Sequence, residues 1–202
     1  MTTNPKVAIC IPSGDMVHTD FMLSVLEIAY RARLAGIKVP IVNARDSIIA
    51  QCRNRAVDAA LATRADWLLF LDSDMTFDPN TVLRLLKHGK EIVGASGSPR
   101  RKSTTFVAER LDGMPVTLAD TGLLEVSRIG GACLLIKADV FEKMQRPYFR
   151  FGIDEERQAI IGEDYLFCAT VKSLGYQIWC DMDLSREVEH IGLQGFQVEE
   201  EV

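Results

Sequence analysis

From Val7 to Ala95 the chain alternates short β-branched apolar runs with longer segments of helical period, and this alternation limits the fold more than any other feature. Val7–Ile11 reads as a buried strand feeding the turn Pro12-Ser13-Gly14. Phe21–Ala35 is helical in period and Gly36 stops it. Ile37–Val42 is the next expected strand, and Asp46–Thr63 the next helix, with Asp46 as its N-cap. Trp67–Leu71 is a third apolar strand. Asp78-Pro79 opens a helix with a cap and then proline at the first helical position, and Ile92–Ala95 is a fourth strand. Such a β-α-β-α-β-α-β series predicts an α/β fold, a mostly parallel central sheet with flanking helices.

Beyond Ala95 the texture changes. Ser98–Thr105 is polar and basic, with Arg100, Arg101 and Lys102 in a row, and reads as an exposed loop able to close as a lid over a diphosphate or an anionic acceptor. Thr117–Ile129 and Ala132–Ile136 read as strands closing a mixed second half, with Ala138–Gln145 a short helix. Phe149–Ile161 reads as a charged connection, Glu163–Leu174 as a helix ending at Gly175, and Gln177–Cys180 as a strand. No repeat, low-complexity segment or linker divides residues 1–202, so one domain is expected.

Composition bears on partners and compartment. With 48% hydrophobic and 25% charged residues the chain has the balance of a globular protein. No apolar run approaches the ~20 residues of a membrane span, and Met1–Lys6 lacks the features of a signal peptide. Cys10, Cys52, Cys133, Cys168 and Cys180 form no C-x-x-C pair and lie mostly in apolar stretches. They read as reduced core thiols of a cytoplasmic protein, not as a disulfide frame or zinc site. A net charge of −5 gives nonspecific nucleic-acid binding no overall electrostatic support.

The strongest chemical signal is Trp67–Met75, an apolar strand that delivers Asp72 and Asp74 one residue apart. Ligands of open α/β sheets gather at the carboxyl ends of strands. Two close carboxylates repel when ionised and so invite a hard divalent cation, Mn²⁺ or Mg²⁺, which can neutralise a departing diphosphate. The plainer role of Asp-Ser-Asp is to cap the turn that follows. Helical period puts Arg53 in the apolar arc of Ile49, Cys52, Ala56 and Ala60, where a guanidinium needs either a phosphate or a core carboxylate. Glu163-Asp164 opens a helix; either residue can cap it, or one can act as a general base towards an acceptor hydroxyl. His190, in Val-Glu-His-Ile-Gly, is open to a structural or a metal-ligand reading. Gly130-Gly131 either lets the backbone approach a ligand closely or permits a bulge.

In order and spacing, V-A-I-C-I-P-S, R-N-R-A-V-D-A-A-L, D-W-L-L-F-L-D-S-D-M, I-G-G-A-C-L-L-I-K-A-D-V-F, G-E-D-Y-L-F-C and E-H-I-G resemble the family-2-like glycosyltransferases of the GT-A fold. The resemblance runs over nearly the whole chain. It implies a GT-A, nucleotide-diphospho-sugar transferase fold and a metal-dependent transfer, with inversion, from a UDP- or GDP-linked sugar to a hydroxyl acceptor. It further implies that Pro12 and Ser13 line the nucleotide pocket, with Arg53, Asp72 and Ser73 also on the nucleotide. Asp74 and Asp72 would hold the metal, completed by His190. Asp164 would be the catalytic base and Glu163 would contact the acceptor. The acidic pair that in this family follows the second strand has no counterpart; Asn43-Ala44-Arg45-Asp46 stands there.

Two rival functions follow from the same residues. Asp72 to Thr76 fits the D-x-D-x-T of haloacid-dehalogenase-type phosphatases, in which Asp72 would be a phosphorylated nucleophile. That motif belongs on a first strand, yet two strand–helix units precede Asp72, and Cys168 stands where a second late aspartate is needed. The other rival is a non-catalytic sugar-nucleotide-binding module, which the joint retention of Asp72, Asp74, Asp164 and His190 opposes.

Overall fold

The computed structural model describes residues 5–98 and 104–192. The basic row Arg100, Arg101 and Lys102, and with it the lid expected there, lies outside the described residues. The elements run β1 (Val7–Ser13), α1 (Thr19–Leu34), β2 (Ile41–Arg45), α2 (Ile49–Ala62), β3 (Trp67–Leu71), β4 (Met75–Thr76), α3 (Thr81–Lys87) and β5 (Ile92–Gly94). There follow β6 (Thr105–Arg110), β7 (Pro115–Thr117), β8 (Leu123–Ile129), β9 (Cys133–Lys137), α4 (Ala138–Glu142), β10 (Gly152–Asp154) and β11 (Ala159–Ile161). The last are α5 (Glu163–Ser173), β12 (Ile178–Asp181), α6 (Met182–Ser185) and β13 (Glu189–His190). No helix is long and apolar enough to cross a membrane among the described residues.

Nine strands form one mixed sheet in the order β2-β1-β3-β9-β5-β12-β8-β6-β7. The wing β2-β1-β3 is parallel, and β5 pairs parallel with β12. Between them β9 runs antiparallel to both β3 and β5. Period-two alternation splits the core into two layers. Ala8, Cys10, Leu68 and Phe70 face α2, α4 and α5, while Val7, Ile9, Leu69 and Leu71 face α1 and α3. With both faces covered, the central strands are apolar throughout, as their sequence predicts.

Several boundaries differ from the sequence reading for local reasons. The second strand is displaced to Ile41–Arg45, because Pro40 cannot donate to a ladder and regular pairing with β1 begins only after it. Asp46 does not cap α2. Its Oδ1 accepts from the Ile48 N–H at 2.9 Å in a turn ahead of the helix. Asp78-Pro79 likewise forms the turn before α3, with the Asn80 N–H donating to Asp78 Oδ1 at 2.8 Å. The run 117–129 breaks into β7 and β8 at Gly122, whose φ of +67° suits a turn. The connection 149–161 contains the β10–β11 hairpin.

Candidate functional site

Three chain reversals at the carboxyl ends of strands meet in one place. β1 ends at Ser13 and is followed by Gly14; after β3 come Asp72, Ser73 and Asp74; the β8–β9 turn brings Gly130 and Gly131. The start of α5 adds Glu163 and Asp164. A cavity of about 520 Å³ opens among them, lined by Pro12, Ser13, Arg53, Asp72, Ser73, Asp74, Glu163 and Asp164. A smaller cavity of about 170 Å³ adjoins it across Asp72, Asp74 and Asp164, and is lined also by Gly131 and His190. Every site residue expected from sequence therefore lines this double cleft.

Arg53 ties the two sides together from beneath. It is 2% exposed. Its Nε donates to Glu163 Oε1 at 3.1 Å, its Nη1 to the Gly131 carbonyl at 3.0 Å, and its Nη2 to both Asp72 oxygens at 2.9 and 3.2 Å. The rings of Phe70 and Phe149 lie 5.7 and 5.9 Å from the guanidinium carbon. Of the two partners open to it in sequence, a phosphate or a core carboxylate, the structure provides the carboxylates. Burial alone would lower the Arg53 pKa; Asp72 and Glu163 outweigh it, so the group stays charged. Burial pushes the Asp72 carboxyl up, Arg53 pulls it back, and Asp74 adds to the upward push.

Gly131 serves the same hub. A Cβ there would lie 2.8 Å from Arg53 Nη2, so only glycine lets the backbone come this close. Its carbonyl accepts from Arg53 while its N–H donates to Asp164 Oδ2 at 3.3 Å. The Tyr165 N–H donates to Asp164 Oδ1 at 2.8 Å. The Asp164 carboxylate is thus held by two backbone donors at a helix start.

His190 comes from 116 residues away in sequence: its Nε2 lies 3.2 Å from Asp74 Oδ2. The approach is built by the backbone. β13 pairs antiparallel with β4, placing His190 opposite Met75, and the Ile191 N–H donates to the Asp74 carbonyl at 2.8 Å. Among the described residues no three His, Cys, Asp or Glu side chains gather into a metal cage. Asp74 and His190 contact one another directly at 3.2 Å. The second expected carboxylate, Asp72, is instead engaged through both oxygens by Arg53.

Asp46 lines the larger cavity as well, and it was read in sequence only as a cap. Its Oδ2 pairs with Arg55 at 2.9 Å. Asn43 Nδ2 donates to the Ser13 hydroxyl at 2.8 Å and the Ile11 carbonyl at 3.1 Å, bracing the turn after β1. The signal available was position alone: Asp46 directly follows the second strand.

No protein-family model and no curated protein matches this chain. Solved structures do. A197 from STIV matches with a TM-score of 0.61 at 20% identity, over 97% of this chain and 98% of that one. The 1–349 segment of S. aureus TarS in complex with UDP-GlcNAc matches with a TM-score of 0.51 at 14% identity, over 95% of this chain. This chain spans only 60% of that segment. At such identities the likeness speaks to the fold, and the fold is that of the GT-A glycosyltransferases, with a mixed central sheet and flanking helices.

Proposed function

We propose that the chain is a metal-dependent glycosyltransferase that moves a sugar from a nucleoside-diphosphate donor to a hydroxyl acceptor with inversion. One observation carries the reading. Asp74 and Asp164 line both cavities, a large one that would take a donor and a small one that would take a reacting hydroxyl, and His190 lines the small one beside Asp74. Pro12, Ser13 and Asp46 would surround the nucleoside, and Ser73 would lie against the phosphates. Asp74 and His190 would hold Mn²⁺ or Mg²⁺ together with the diphosphate oxygens. That cation, when bound, neutralises the charge of the leaving diphosphate.

Asp164 takes the proton of the acceptor hydroxyl as that oxygen bonds to the anomeric carbon. The bond from that carbon to the diphosphate oxygen breaks on the opposite face, which inverts the configuration. Glu163 gives one oxygen to Arg53 and contributes to the acceptor side with what remains. A uridine donor is the first to test, because the TarS segment was solved with UDP-GlcNAc.

The decisive experiment is thermal melting with UDP- and GDP-linked sugars, with and without Mn²⁺, followed by NMR of the transferred sugar. A cation-dependent rise in melting temperature for one nucleotide, and an inverted product, are expected. A product that keeps the donor configuration removes the displacement mechanism. No stabilisation by any donor removes the glycosyltransferase reading.

A further inference from the structure

The β10–β11 hairpin is a two-stranded sheet of its own, and both of its ends are fixed at the Arg53 hub. Before it, Phe149 stacks on Phe167 at 4.7 Å and lies 5.9 Å from the guanidinium carbon. Asn54 holds the Phe149 backbone through two hydrogen bonds of 2.7 and 3.1 Å. After the hairpin, Gly162 leads into Glu163, which accepts from Arg53. The hairpin is thus rooted beside Asp164.

Its two faces differ. Directly opposite residues of an antiparallel pair share a face. Gly152 and Ile161 are one such pair and look inward: a Cβ at Gly152 would lie 3.3 Å from Leu166 Cδ2 of α5. Ile153 and Ile160 are the next pair and look outward, 74% and 77% exposed. One step the other way, the same register sets Phe151, 46% exposed, across from Gly162. Phe151, Ile153, Ile160 and Gly162 therefore share the outward face, and none of them brings a hydrogen-bonding side chain.

Gly162 decides where that face leads. A Cβ there would lie 2.9 Å from Asp164 Oδ1, too close for a real side chain. The Asp164 carboxylate thus stands on the outward side of the hairpin, and glycine keeps open the space between it and Phe151. The Ile153–Ile160 pair lies two strand residues further on, roughly 7 Å. Exposed apolar side chains are ordinary on a protein surface; these three begin at the carboxylate assigned as the base.

We propose that this face carries the body of the acceptor, and that the acceptor is an amphipathic alcohol, with its hydroxyl at Asp164 and a hydrocarbon body along Phe151, Ile153 and Ile160; this rests on the transferase role of Asp164. Whatever is bonded to that hydroxyl and leaves past Gly162 meets carbon alone. A polyhydroxylated body finds no hydrogen-bond partner among these side chains, whereas a hydrocarbon body gains by leaving water.

Methyl NMR of the full chain with ethanol, 1-butanol and 1-hexanol tests the face without donor or turnover. Saturable shifts of the Ile153 and Ile160 methyls are expected, half-complete at millimolar 1-hexanol, with affinity rising about two- to fourfold per added methylene. Ile153→Ser and Ile160→Ser should melt like the wild type, being exposed, yet each weaken 1-hexanol binding about threefold or more. Leu111→Ser, at an exposed apolar residue on the β6–β7 turn, should leave that binding unchanged. With donor and cation, 1-hexanol should accept the sugar at a lower KM than ethanol. No saturable shift up to about 30 mM 1-hexanol overturns the proposal. So does an affinity independent of chain length, or a Leu111→Ser effect equal to that of Ile153→Ser. Ile153-dependent binding to phosphatidylcholine vesicles without a saturable 1-hexanol response would assign the face to a bilayer instead. Donor-induced stabilisation without 1-hexanol binding removes the amphipathic acceptor and leaves the transferase. Binding of 1-hexanol to a chain that no donor stabilises removes the transferase reading, and the acceptor role with it.

Discussion

Replacing Arg53 with lysine keeps the charge and removes the fork. One ammonium cannot serve Asp72, Glu163 and the Gly131 carbonyl together, since these lie in three directions around a planar group. Arg53→Lys is therefore expected to lose transfer about a hundredfold while donor-induced stabilisation falls only a few-fold, measured by steady-state kinetics beside melting shifts. Arg53→Met leaves two carboxylates in the cleft floor without their cation and should cost about 3 kcal/mol in urea unfolding. Asp164→Asn removes the proton acceptor and keeps one of the two backbone contacts, since an amide nitrogen cannot accept from an N–H; turnover should fall about 10²-fold or more with donor binding nearly intact. Equal loss of donor binding and turnover in Asp164→Asn would make the residue a binding group. That Arg53 faces inward was legible in sequence from the helical period around Ile49, Cys52, Ala56 and Ala60. Its partner was not, because Glu163 is 110 residues distant and only the closed sheet brings the two together.

Among the elements, the segment from β12 to β13 matters most to the site, since it delivers His190. Asp181 starts it: Oδ1 accepts from the Leu184 N–H at 2.8 Å as the N-cap of α6, and Oδ2 lies 2.9 Å from His88 Nε2 on the turn after α3. Arg84 of α3 pairs with Glu187 at 2.7 Å, three residues before His190. Asp181→Asn retains the cap and Asp181→Ala loses it, so alanine should cost about 1–2 kcal/mol and asparagine clearly less in chemical unfolding. Equal costs would show that the contact to His88, not the cap, dominates. The parallel wing and the strand before Asp72 were legible because each is a local apolar run bounded by turn residues. The antiparallel insertion of β9 between β3 and β5 was not, since strand order is a nonlocal property that an alternation of elements leaves open. β6 and the β10–β11 hairpin were missed for a different reason. Their residues are only partly buried, so polar and charged side chains interrupt the alternation that marks a strand.

At the scale of the whole molecule, the thiols make stability depend on alkaline pH. All five cysteines are free and buried. Burial pushes Cys133 and Cys168 up to about 12 and Cys180 up to about 11, and raises Cys10 and Cys52 as well. An unfolded thiol titrates near 8.5. Below that pH both states keep the proton and the thiols contribute no pH dependence. Above it the unfolded chain releases protons that the folded chain still holds, so stability falls as pH rises. Each thiol lowers it by up to ~1.4 kcal/mol per pH unit, and several acting together remove a large share of the 5–15 kcal/mol typical of a domain by about pH 10. Urea unfolding under reducing conditions should therefore show a plateau near neutrality and a steep loss between pH 9 and 10.5. Cys168→Ala should shallow that slope by about 1 kcal/mol per pH unit, at the expense of a smaller side chain in the layer beside Phe167 and Val171. The same burial predicts that a disulfide reagent at pH 8 modifies none of the thiols in the folded chain and all five in denaturant. A slope unchanged in Cys168→Ala, or a thiol that reacts at once in the folded chain, would mean that these side chains are not held neutral in the core.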